Sequence, residues 1–154
     1  MDLGIYPLNT SRFVLGADPI AVTAMTSALD EGFAVDEHVG FALLFPDDTV
    51  GSSTASFDAY PGSSFSVLGT EGRITIEPAF DAPLDRDVGI DRSDERIELV
   101  RAGANEVVEQ LEYFATCVWR GVDSEPNGAD GLADLRILNA AYESAETGAR
   151  IDLE

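Results

Sequence analysis

The chain has 154 residues, 45% of them hydrophobic, and carries 29 acidic against 9 basic residues, a formal net charge of −20. That length and apolar fraction fit a single domain with its own core and exclude a disordered polyacid. The charge excludes nucleic acid and anionic membrane surfaces as partners, because their phosphates would be repelled.

All nine basic residues are arginine and lysine is absent, a composition that suits molar ionic strength, where salt screens the repulsion between carboxylates. A halophilic protein is expected. The start, residues 1 to 9, has no basic segment followed by an apolar one, and no stretch approaches the roughly 20 apolar residues that span a bilayer, so a soluble, cytoplasmic protein is expected. The single cysteine, Cys117, excludes an internal disulfide, and with one histidine, His38, no nitrogen and sulfur ligand set for zinc is available. Cys117 sits amid Phe114, Val118 and Trp119 and reads as a packing residue.

In chain order, Asp2 and Gly16 bracket a short helix over residues 2 to 15 as cap and stop, with Pro7 starting either the helix proper or its second turn. From residue 19 to about 77 the apolar period becomes two: Ile20/Val22, Val39/Phe41/Leu43/Phe45, Phe65/Val67 and Ile74/Ile76. Turn signals at Asp30-Glu31-Gly32, Pro46-Asp47-Asp48, Tyr60-Pro61-Gly62 and Gly69-Thr70-Glu71-Gly72 predict an antiparallel meander. Ala24/Thr26/Ala28 and Ser52/Thr54/Ser56 predict a sheet face of small uncharged groups, open to a second subunit, with His38 on the Gly40/Ala42 side.

Residues 81 to 95 read as an acidic loop. Its Asp85, Asp87 and Asp91 do not fit a calcium loop, because counting from Asp85 puts Ile90 and Arg96 where glycine and glutamate are required. No metal site is expected. A strand follows around residues 96 to 101. Then comes a helix from about Asn105 to Arg120, with an apolar stripe of Val107, Leu111, Phe114 and Val118. A second helix, capped by Asn127 or Asp130 and stopped by Gly148, precedes a final strand over residues 150 to 153. Strands followed by amphipathic helices predict an α+β fold, a mostly antiparallel open sheet with helices on one face.

Three segments, Asp2 to Asn9 (DLGIYPLN), Gly69 to Ile74 (GTEGRI) and Pro126 to Leu153, occur in the order seen in the second domain of the Gfo/Idh/MocA oxidoreductases, which the chain resembles. Within that family the likeness is to D-xylose dehydrogenases and dimeric dihydrodiol dehydrogenases. The resemblance implies a C-terminal, substrate-binding and oligomerisation domain over residues 1 to 154, without its leading strand and without the Rossmann domain that binds NADP or NAD. No cofactor-binding residue is expected in this chain. It also implies that Asp2 and Tyr6 are the catalytic pair, Tyr6 exchanging a proton with a sugar hydroxyl and Asp2 orienting the site. On the residues alone, Asp2 would be a helix cap and Tyr6 a packing residue. Two functions remain open: the substrate half of a sugar dehydrogenase, inactive by itself and assembling through its open sheet, or a non-catalytic binding and oligomerisation module.

Overall fold

The computed structural model describes residues 2–28 and 35–153. Its elements run α1 (Ile5–Leu15), β1 (Ala21–Ser27), β2 (His38–Leu44), β3 (Val50–Ser56), β4 (Phe65–Leu68), β5 (Gly72–Glu77), β6 (Arg86–Arg92), β7 (Glu95–Arg101), α2 (Glu106–Arg120), α3 (Gly128–Thr147) and β8 (Ile151–Asp152). The α+β class holds. The strands divide between two antiparallel sheets, ordered β3-β2-β1-β8 and β4-β5-β6-β7, which belong to two units: Met1–Ala59 with Pro126–Glu154, and Tyr60–Glu125. The expected turn at Asp30-Glu31-Gly32 lies outside the described residues. Among the described residues, no helix is long and apolar enough to cross a membrane.

In the first unit, α1 and α3 lie on one face of the sheet. Leu8 from α1 and Ile137, Leu138 and Ala141 from α3 meet Val22, Val39, Phe41, Leu43 and Phe45 to form the core. Small residues let α3 approach closely. Ser144, with no exposure at all, accepts a hydrogen bond from the Ala24 amide at 2.9 Å and donates one to the Ala149 carbonyl at 2.6 Å. Its role follows from the ladder: β8 pairs only with Ala21 and Val22, so the Ala24 amide lies beyond the end of β8 and needs a side-chain acceptor.

Both ends of α3 are as the sequence indicates. Asn127 accepts from the amides of Ala129 and Asp130, and Gly148 closes the helix at φ 69°. At α1 the stop is again glycine, Gly16 at φ 63°, but the start differs from expectation. Gly4 occupies the cap with no side-chain hydrogen bond, and Asp2 lies in the preceding turn. Pro7 is the third helical residue, where the missing amide proton has no intrahelical partner to lose.

The small-residue face needs one correction. Ser52, Thr54 and Ser56 stand on the open face beside Ala42, Gly40 and His38, but Ala24 and Thr26 pair with Phe41 and Val39 on the face that α3 covers. The reason is parity, since even-numbered residues of β1 share a side with Val22. Thr23, Met25 and Ser27 are the β1 residues on the open face, and Ala28 lies past the strand end. Asp152, opposite Ala21, is the only acidic or arginine residue in these four strands.

The second unit is built from hairpins. Gly69 donates to the Gly72 carbonyl at 2.9 Å to close the β4–β5 turn, and a Cβ at Gly72 would stand 2.3 Å from the Asp91 carbonyl oxygen, so only glycine fits there. Residues 86–92, expected in an acidic loop, form β6. Val88 and Ile90 carry the alternation and pair on both sides, while Asp87 and Asp91 point the other way, Asp91 bonding Arg73 at 2.8 Å. Asp85 accepts from the Gly103 amide. The register aligns Phe65, Ile76, Val88 and Leu99 in one row and Val67, Ile74, Ile90 and Ile97 in the next, all on one face. None of the eight is fully buried. The stripe of α2 departs from expectation too: Val107, Leu111, Phe114 and Val118 are all exposed, and Cys117 is the one buried residue of that helix.

Candidate active site

Tyr6 is the second residue of α1 and is 52% exposed. Asp2, also exposed, lines a small depression with Gly4, Asp36, Glu37, Ser56 and Phe57. The fold brings both residues to one end of α1. Behind the depression the Tyr142 hydroxyl donates to Asp36 at 2.9 Å. Burial pushes the Tyr142 phenol upward and the Asp36 carboxylate adds to it, to about 12. For Asp36, burial acts upward, hydrogen bonds from the Tyr142 hydroxyl and from its own backbone amide act downward, and the net direction is down.

The orientation of α1 is set by a polar cluster that the sequence did not announce. Arg12, 9% exposed, donates from Nε to Asp18 at 2.7 Å and from Nη1 to Asp134 at 2.5 Å, and its Nη2 lies 3.1 Å from Asp130. Asn9 donates to Asp134 at 2.8 Å. Burial alone would lower the Arg12 guanidinium, and Asp18 and Asp134 outweigh it, so the net shift is upward. Asn9 and Arg12 therefore fasten α1 to α3 while Tyr6 stays accessible. One signal was present: Arg12 follows Leu8 by four residues, which places a lone charge on the apolar side of the helix.

Among the described residues, no three His, Cys, Asp or Glu side chains converge to hold a metal. A dinucleotide pyrophosphate is bound by a glycine-rich turn from strand into helix. Gly69 to Gly72 instead joins two antiparallel strands, so that segment does not fit the group.

Residues 1–75 match the family model for the GFO/IDH/MocA C-terminal domain. The chain is 40% identical to a D-xylose 1-dehydrogenase [NADP(+)] of Haloarcula marismortui, the alignment covering all of this chain and 43% of the relative. It is 27% identical to D-xylose 1-dehydrogenase (NADP(+)) 2 of Haloferax volcanii, covering all of this chain and 47% of that one. Among solved structures, the aldose-aldose oxidoreductase of Caulobacter crescentus complexed with glycerol is similar over 97% of this chain and 46% of its own, with a TM-score of 0.88 and 28% identity. The chain thus spans under half the length of these relatives.

Proposed function

Because the chain belongs to the GFO/IDH/MocA oxidoreductase family, as its C-terminal domain, we propose that it is the substrate half of a sugar dehydrogenase that uses NADP or NAD. In this reading Tyr6 exchanges a proton with a hydroxyl of the sugar and Asp2 orients that hydroxyl. The nicotinamide, when present, supplies the hydride acceptor, and it is held by protein outside this chain. The observation that carries the proposal is that α1 is clamped through Asn9 and Arg12 and leaves Tyr6, near its start, half exposed. A phenol needs a nearby cation to act as a base near neutrality. The resemblance assigns that cation to a lysine of the nucleotide-binding domain, so the chain alone is inactive.

Calorimetric titration of the chain with NADP and NAD in molar KCl tests this, followed by turnover assays with xylose and glucose. No micromolar binding and no turnover are expected. Turnover that Tyr6→Phe abolishes would show the chain to be a complete enzyme and overturn the proposal.

The open face of the first sheet, with Asp152 its one carboxylate, favours a second role, assembly of like subunits in a halophilic cytoplasm. An almost charge-free face on a chain of net charge −20 can approach its own copy without bringing carboxylates together. Light scattering decides: Thr54→Glu, which sets a charge on that face, should lower the mass in molar KCl. An unchanged mass would leave the face without this role.

A further inference from the structure

We propose that two copies of this chain pair through α2, the two helices running antiparallel about a two-fold axis that passes between Leu111 and Phe114. No strand takes part. The pairing uses a different unit from the open face of the first sheet and rests neither on that face nor on the dehydrogenase reading.

Val107, Leu111, Phe114 and Val118 follow a four-three-four spacing, which keeps them in line on one side of a helix, and all four are between 55% and 66% exposed. On one flank of this seam Cys117 is buried, so the rest of the chain covers that side. On the other flank Val108 and Ala115 are exposed and widen the apolar strip. Contiguous apolar area of this kind on an acid-coated chain marks a contact surface.

The symmetry of the seam selects a second copy as its occupant. Read from either end the spacing is the same, with valine at both ends and a larger residue at each inner position. Turning a second α2 by half a rotation sets each Val107 against the other copy's Val118 and each Leu111 against the other copy's Phe114. A contact of this kind is self-complementary and closes as a dimer. The positions beside the seam, Val108, Gln110, Ala115 and Cys117, carry no charge, so two chains of net charge −20 meet there without burying a carboxylate.

The acids of α2 set the direction. Glu106, Glu109 and Glu112 all lie in the first half of the helix. A parallel pair would stand each beside its own counterpart, whereas the antiparallel pair sets them level with Trp119, Thr116 and Tyr113 of the other copy and opposes the two helix dipoles. A 15-residue helix offers fewer residues than the roughly 20–30 per side of a standard interface. The dimer is therefore weak and depends on concentration.

Light scattering in molar KCl on the Thr54→Glu background, where the open face is charged, measures it. The mass should climb from 16.4 kDa toward twice that value as the protein is concentrated toward millimolar. Leu111→Glu should weaken the dimer at least tenfold and hold the mass at the monomer. Circular dichroism reports whether that variant keeps its helices, and Leu111→Gln replaces it if it does not. Direction is read with Val107→Cys and Val118→Cys, each made with Cys117→Ala and treated with a short bismaleimide. The two positions are roughly 16 Å apart along a helix, so the mixture of the two variants should cross-link and neither variant should do so alone. A monomer at every concentration would leave the seam to a different protein and overturn the proposal. A dimer indifferent to both Leu111 variants, or cross-linking of either cysteine variant alone as readily as the mixture, would overturn it too.

Discussion

Arg12 is one cation facing Asp18, Asp130 and Asp134, and it is buried. Removing the cation strands Asp134, itself buried, with Asn9 as its remaining donor, so Arg12→Leu should cost about 3–5 kcal/mol in chemical denaturation. A value near zero would mean that the cluster is replaceable. The Tyr142–Asp36 pair adds a pH dependence. Folding raises the Tyr142 phenol to about 12, above its ordinary value of about 10, so its contribution is complete below about pH 10 and is lost as pH climbs toward 12. Asp36 shifts the other way, and its contribution is present above the ordinary carboxylate range and fades as pH falls through the lowered value. Thermal melts across the alkaline range should show a decline that Tyr142→Phe removes. The residues differ sharply in how visible they are in the sequence. Asp2 and Tyr6 stand in one short motif, whereas Arg12 meets partners 118 and 122 positions away, a pairing that no local pattern specifies.

Local chemistry makes the elements far more readable. Asn105, Asn127, Gly16 and Gly148 sit where capping physics requires them, and alternation locates most strands. Alternation does not say which sheet a strand joins, and acidic neighbours conceal β6 because a strand edged with aspartates has the composition of a solvated loop. The stripe of α2 misleads for a related reason: amphipathicity shows that a helix has an apolar side, not that its own chain covers it. The capping residues give a graded expectation. Asn127→Ala should cost about 1 kcal/mol of overall stability, since α3 is part of the core. Asn105→Ala should instead speed hydrogen exchange in the first turn of α2 and leave the midpoint nearly unchanged. Equal effects on the midpoint would contradict the difference in burial between the two helices.

Across the whole molecule, charge outweighs every other surface property. With 29 acidic residues and 9 arginines, self-repulsion is strong in dilute buffer and screened in molar salt, so the melting midpoint should rise as KCl is raised from dilute to molar. A midpoint that is unchanged or falls would remove the halophilic reading. The first unit also has an unusual relation to the order of the chain. Its sheet and helix layer take residues from both sides of the second unit, which occupies residues 60 to 125, and Ser144 reaches back 120 positions to the amide of Ala24. During synthesis from the N-terminus, β1 to β3 therefore leave the ribosome with only α1 to cover their core face, and the hairpins of the second unit emerge whole before α3 exists. The first sheet must wait through that interval for the larger part of its cover. Its apolar residues, Phe41, Leu43 and Phe45 among them, are the part of the nascent chain that a chaperone would shield, and arrested chains ending before residue 126 should expose them to limited proteolysis while the hairpins resist it.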